Sequence, residues 1–235
     1  MGITTVLFDL DGTLLPMDQE KFVKAYLGLL ARKMAPLGYD PKQLVDGIWA
    51  GTGAMVRNSG EQKNEAVFWD TFEAVMGKAC RKDEPIFEEF YRNEFAGAQA
   101  ACGFNPRAAE TVHKIKEMGL RVALATNPIF PAIATQNRIR WAGLQPEDFE
   151  LVTTYENSCH SKPNPAYYRD ILETLGLTSG ECLMVGNDAT EDTAAAALGI
   201  KVFLLTDCLI VKDDRDLSRY PQGSFDELLS YIETL

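Results

Sequence analysis

The feature that most constrains this chain is the stretch from Val6 to Leu14, which reads Val-Leu-Phe-Asp-Leu-Asp-Gly-Thr-Leu. The apolar and β-branched run from Ile3 to Phe8 predicts a buried strand. Two carboxylates, Asp9 and Asp11, follow at its end, and Gly12 then permits a sharp turn. In an α/β sheet, ligands sit outside the carboxyl ends of the strands, so chemistry is expected here. Alternation along an extended chain predicts that Asp9 and Asp11 point to the same side. Neighbouring carboxylates repel unless positive charge lies between them. A hard cation with oxygen ligands, Mg²⁺, suits that position. One carboxylate can then attack while the other handles a proton.

The rest of the chain sets the frame around this strand. Its 235 residues, 46% of them hydrophobic, allow one large domain or a domain with a sizeable insertion. A net charge of −11 argues against a nucleic-acid footprint and against adhesion to anionic membranes. No apolar run is long enough to span a bilayer. The first residues run straight into the strand without a basic and apolar leader, and the five cysteines show no pairing or metal-ligand spacing. Reduced thiols and a cytoplasmic location are the expectation.

After Thr13 the strand–helix alternation stops, and Leu15 to about Gly103 reads as helices. Glu20 to Met34 has helical apolar spacing, and Asp40-Pro41 is a helix start. Leu44, Val45, Ile48 and Trp49 form one face, and Gly51-Thr52-Gly53 is expected to interrupt it. A helix over Glu61 to Met76 is expected to turn Val67, Phe68, Phe72, Val75 and Met76 inward, and Ile86 to Phe95 carries another aromatic stripe. An α/β pattern begins at Asn105-Pro106. A helix to Met118, with Met118 inward, is closed by Gly119. Further strands are expected at 122–125, 150–153, 182–185 and 201–205. Helices are expected at 131–141, 165–175 and 190–198, and a last one opens on the capping box Ser224/Glu227. Five strands alternating with helices imply a parallel sheet covered on both faces.

Asp-x-Asp-Gly-Thr after an apolar strand resembles the signature of the haloacid dehalogenase-like superfamily. The resemblance implies an α/β, Rossmann-like core over 1–15 and 104–235, with the Asp9 strand central and a helical cap inserted over 16–103. Thr126, ending the strand Ala123-Leu-Ala-Thr-Asn127, matches the superfamily's second motif. With Asn127 it is expected to hold phosphate oxygens. Lys162, in Ser161-Lys-Pro-Asn-Pro165, matches the third motif, whose lysine neutralises the nucleophile and the phosphoryl group. The fourth motif falls on Gly186-Asn-Asp-Ala-Thr-Glu-Asp192, where the usual Gly-Asp is replaced by Gly-Asn-Asp. Either Asn187 supplies an amide oxygen with Asp192 behind it, or Asp188 binds the metal directly. Charge favours Asp188. Glu191 is expected to be solvated.

The resemblance implies a Mg²⁺-dependent phosphatase acting on a small phosphorylated metabolite, of the phosphoglycolate or sugar-phosphate kind. Asp9 would form an aspartyl-phosphate and Asp11 would serve as acid and base. Mg²⁺ would be held by Asp9, the Asp11 carbonyl and the 186–192 loop. A phosphotransferase shares all these groups, and a haloacid dehalogenase or a silent phosphate-binding protein are more distant alternatives. The adjacent Cys159-His160 pair is not read as a nucleophile and base, because such groups normally come from separate segments. His113 is read as structural or exposed. Arg57, near the glycine break, is expected to contact the substrate. An unchanged Michaelis constant in Arg57→Ala across phosphate esters would count against that role.

Overall fold

The computed structural model describes residues 2–214 and 216–235. Strand β1 (Thr5–Phe8) lies between β2 (Arg121–Leu124) and β3 (Cys182–Gly186). With β4 (Lys201–Leu205) and β5 (Gln222–Gly223) they form a five-stranded sheet, order β2-β1-β3-β4-β5, every pair parallel. The α-helices are α1 (Gln19–Met34), α2 (Pro41–Val56), α3 (Asn64–Met76), α4 (Glu84–Arg92), α5 (Pro106–Glu117), α6 (Ala132–Trp141), α7 (Pro165–Leu175) and α8 (Phe225–Ile232).

Both faces of the sheet are covered. Val6 and Phe8 of β1 pack with Ile115, Ile139 and Leu228 from α5, α6 and α8. Leu7 packs with Tyr167, Tyr168 and Ile171 from α7. Burial on two faces is why these strands read as unbroken apolar runs rather than alternating ones.

The expected strand at 150–153 is reduced to one parallel bridge, Val152 to Leu124, beyond β2. Backbone bonds still join it to β2, from Glu150 N to the Val122 carbonyl, Leu124 N to that of Leu151 and Thr153 N to that of Leu124, and side chains take over only around Val152 and Thr154. Asn157 Nδ2 donates to the Val152 carbonyl, and Thr154 N donates to Asn157 Oδ1, both at 2.8 Å. The edge strand β5 is only two residues long and carries no readable pattern. The helix expected at 190–198 is a 3₁₀ run at Thr193–Leu198. Its first turn is replaced by bonds from Thr190 N and Glu191 N to Asp188 Oδ1, at 2.7 and 2.9 Å.

Between β1 and α5 the chain is helical. Asp18 and Asp40 cap α1 and α2 through their side chains. The expected break at Gly51 does not occur, and α2 runs through it. Gly51 instead serves helix packing: a Cβ there would lie 2.5 Å from a ring carbon of Phe68 on α3. Val75 and Met118, expected to face inward, are 39% and 40% exposed; Trp49 is 52% exposed, whereas Trp69 is buried. The helical segment leaves and re-enters at one place. Met17 bridges Cys102, and Gly103 N donates to the Pro16 carbonyl at 2.7 Å. One apolar cluster nevertheless runs through both parts, with Tyr26 of α1 against Phe130 at 5.5 Å and Phe95 against Trp141 at 5.2 Å between ring centroids. Among the described residues no helix is long and apolar enough to cross a membrane.

Because Phe68 is itself wedged against Trp69 and Phe72, it has little room to yield. Gly51→Ala is expected to lower the unfolding free energy by about 1–3 kcal/mol in urea titration. No change would mean that the α2–α3 contact is loose.

Candidate active site

Asp9 directly follows β1, and its backbone N–H donates to the Val185 carbonyl at 2.9 Å, so it is still fixed to the sheet. Its side chain is held at both oxygens. Lys162 Nζ donates to Oδ1 at 2.9 Å, and Thr13 Oγ1 donates to Oδ2 at 3.1 Å. Lys162 is fully buried just ahead of α7 and also donates to Asp192 Oδ1 at 2.7 Å. Burial alone would push this ammonium down. The carboxylates of Asp192 and Asp9 reverse that and hold it well above its ordinary value. Two carboxylates share one ammonium, and burial pushes Asp9 up and Asp192 up to about 6 against the pull of Lys162.

Asp11 takes a different partner from Asp9, although its charge still pushes the Asp9 carboxyl up. It pairs with Arg138 of α6, on the opposite face of the sheet from Lys162. The divergence follows from the turn. The strand ends before Asp11, and Gly12 N donates to the Leu15 carbonyl while Leu15 N donates to that of Leu10. Gly12 has φ +86°, and a Cβ there would meet the Asn187 amide at 2.3 Å, so glycine is required. Arg138 is completely buried, with its guanidinium 4.3 Å from the centre of the Phe130 ring. The second oxygen of Asp11, Oδ1, is buried and accepts no hydrogen bond among the described residues.

The third side of the site is the turn after β3. Asn187 Oδ1 lies 2.9 Å from Thr13 Oγ1, whose single proton it shares with Asp9, and its Nδ2 donates to the Cys208 carbonyl at 2.7 Å. Asp192 Oδ2 accepts from the backbone of both Asn187 and Asp188 at 2.9 Å. Asn187 and Asp192 are thus engaged inside the protein. Asp188 is the remaining carboxylate, buried, with Oδ2 accepting from the half-exposed Lys212 at 3.0 Å. Glu191 is not solvated as expected. It accepts from Asn127 Nδ2 at 3.1 Å, and burial pushes its carboxyl up to about 7 despite Lys162.

Thr126 is buried two residues past β2, where its carbonyl accepts from Thr153 Oγ1 at 2.7 Å and Tyr167 OH at 2.8 Å. Asn127 Oδ1 accepts from Lys162 N at 3.2 Å. With both ends of its amide engaged, Asn127 fastens the lysine loop rather than presenting a free donor. Asp9, Thr13, Lys162, Asn187, Asp188 and Asp192 form one bonded cluster around the end of β1, with Asn127 beside it and Asp11 held separately by Arg138. Arg57 is not brought there. It is exposed at the end of α2, beside Gly53 of its own helix. His160 binds Asp170 at 2.7 Å and the Ser59 carbonyl at 3.3 Å, away from the carboxylates. Arg138 and Thr13 were not singled out from the sequence. The signal for Arg138 was its place on the apolar face of α6, between Ala134 and Ile139.

The residues present suit a divalent cation. Asp9, Asp11, Asp188, Glu191 and Asp192 supply five carboxylates against the three cations Lys162, Arg138 and Lys212. Among the described residues no three His, Cys, Asp or Glu side chains form a ready cage. Mg²⁺ is commonly held by one or two carboxylates and completes its shell with water and phosphate.

The haloacid dehalogenase-like hydrolase family model matches residues 3–199. A phosphoglycolate phosphatase of Aliivibrio fischeri is 27% identical over 208 residues, covering 87% of this chain and 84% of that protein. A ribulose-1,5-bisphosphate 5-phosphatase of Halopiger xanaduensis is 26% identical over 208 residues, covering 86% and 84%. Among solved structures, a 2-haloacid dehalogenase from Pseudomonas syringae pv. Tomato superposes with a TM-score of 0.64 at 19% identity, over 99% of this chain and 98% of that one. The last likeness concerns the fold alone.

Removing Arg138 leaves Asp11 without its counter-charge. Arg138→Met is expected to lower stability by about 3 kcal/mol. The double variant with Asp11→Asn is expected to lose less than the sum of the two single changes. Additive losses in a double-mutant cycle would mean that the pair is not coupled.

Proposed function

The chain belongs to the haloacid dehalogenase-like hydrolase family, and on that footing we propose that it is a phosphatase that cleaves a small phosphorylated metabolite through an aspartyl-phosphate on Asp9. The observation that carries this reading is the anchoring of Asp9 by Lys162 on one oxygen and Thr13 on the other. A carboxylate fixed in this way at a strand end is aimed without losing rotamer freedom at the moment of reaction. The phosphatase names of the two relatives support the same reaction class. A second carboxylate two residues on supports phosphoryl transfer over dehalogenation, which leaves Asp11 without a task.

In this reading an Asp9 oxygen attacks phosphorus, and the bond to the ester oxygen breaks as that oxygen takes a proton from Asp11. A water then gives its proton to Asp11 and attacks the same phosphorus. The bond to Asp9 breaks and phosphate leaves. Lys162 offsets negative charge on Asp9 and on the transferred group, and Arg138 keeps Asp11 in place between the two proton transfers. Thr126 would offer its hydroxyl to the phosphoryl oxygens. Asp9, the Asp11 carbonyl and Asp188 are the oxygens that would hold Mg²⁺, Asp188 being preferred to Asn187 for its charge. Bound there, Mg²⁺ would lessen the repulsion between the carboxylate and an anionic ester. The helical segment, 16–103, serves as the cap that excludes water while the ester is cleaved. The five free cysteines support a reducing compartment, the cytoplasm.

Phosphate release from an aryl phosphate is expected to require Mg²⁺ and to stop with chelator. In Asp9→Asn it is expected to fall by about 10⁴-fold or more, with the far-ultraviolet circular dichroism unchanged. Release that survives Asp9→Asn would remove Asp9 from the reaction.

A further inference from the structure

Helix α3 begins without a cap of its own. Lys63, its N-cap residue, gives no side-chain hydrogen bond to the helix. The first N–H groups of a helix need acceptors, and here they find them outside the helical segment. Asn64 N donates to the Ser158 carbonyl and Glu65 N to the Tyr155 carbonyl, both at 2.9 Å. The loop that leads to Lys162 therefore caps a helix from the other part of the molecule.

The Asn64 side chain extends this contact. It is completely buried. Its Oδ1 accepts from Asn58 Nδ2 at 2.8 Å, which fixes the amide with its nitrogen turned the other way. Nδ2 then donates into a group of three acceptors: the Pro128 carbonyl and Ser161 Oγ, each at 3.1 Å, and the His160 carbonyl at 3.4 Å. Pro128 directly follows Asn127, and Ser161 directly precedes Lys162. The same two loops are also joined by Lys162 N donating to Asn127 Oδ1 at 3.2 Å. One amide on the helical segment thus grips the two loops that carry Asn127 and Lys162. Aspartate would offer no donor there, and alanine would leave buried carbonyls unpaired.

Lys162 has little tolerance for a shift of its loop. It is buried and bonds Asp9 Oδ1 at 2.9 Å and Asp192 Oδ1 at 2.7 Å. A displacement of about 1 Å takes such bonds out of range. We propose that Asn64 is a positioning residue for the reaction: by gripping residues 128 and 160–161 it sets the reach of Lys162 to Asp9. Docking of the helical segment and alignment of the lysine are then one event. The proposal rests on the phosphatase reading and gives the segment a second task beside excluding water.

With p-nitrophenyl phosphate and Mg²⁺, the full chain carrying Asn64→Ala is expected to lose about 10–100-fold in kcat, with KM within about twofold of wild type. Lys63→Ala is the control. Lys63 is exposed and donates to the Asn157 carbonyl at 2.8 Å, so its loss breaks a bond between the same two parts without touching residues 128 or 160–161. Its kcat is expected to stay within about twofold of wild type. Hydrogen–deuterium exchange of the substrate-free protein gives a readout independent of turnover. The amides of Ile129, Lys162 and Asn164 are hydrogen-bonded within the two loops, and in Asn64→Ala they are expected to exchange at least about tenfold faster. Ser161→Ala approaches the same bond from the other side. Should Asn64→Ala fail to fold, it carries the test alone, with an expected fall in kcat of about fivefold at unchanged KM. Unchanged kcat in either variant, an equal fall in Lys63→Ala, or faster exchange confined to α3 would overturn the assignment. If the wild-type chain hydrolyses no aryl phosphate, the phosphatase reading falls, and exchange at Lys162 still decides whether Asn64 holds the loop.

Discussion

The buried ammonium of Lys162, shared between Asp9 and Asp192, is the interaction on which the site depends. A lone charge in this interior would be prohibitively costly, and two carboxylates around one lysine make it tolerable. The arrangement fixes three separate pieces of chain at once. Asp9 brings the end of β1, Lys162 brings the loop before α7, and Asp192 brings the turn after β3, whose backbone N–H groups it also collects. Thr13 and Asn187 close the ring from the other side. The charge balance and the shape of the active end of the sheet are therefore one problem with one solution.

A second buried pair, Arg138 with Asp11, ties the same turn to α6 and, through Phe130, to the aromatic cluster of the helical segment. The two aspartates of the motif are held from opposite faces of the sheet. That separation gives each carboxylate its own environment: a buried anion against an ammonium for one, and a partly open anion against a guanidinium for the other. Two roles in one reaction need such a difference.

The sequence made the central strand, its carboxylates and Lys162 legible because each depends on a local pattern: an apolar run, a glycine turn, and a proline-bounded loop opening a helix. Helix starts at Asp18, Asp40, Asn105, Asn164 and Ser224 lie where side-chain capping puts them. What stayed hidden depends on distance. The role of Gly51 is set by a ring on another helix, and nothing within α2 distinguishes a packing glycine from a breaking one. The divergence of Asp9 and Asp11 comes from where β1 stops, a boundary that apolar patterning blurs. Arg138 is an ordinary helix residue until α6 is laid on the sheet. Arg57 lies exposed at the end of α2, where no contact within the protein bears on its expected role.

The central claim is that Asp9 is the nucleophile, and its most direct test is chemical trapping. The protein would be mixed with an aryl phosphate and Mg²⁺, quenched in acid within the first turnover and reduced with borohydride. This converts an aspartyl-phosphate to homoserine, which peptide mass spectrometry can locate. The account predicts homoserine in place of Asp9 and at no other aspartate. Turnover with Asp9 unmodified, or label found at Asp11 or Asp188, would contradict it.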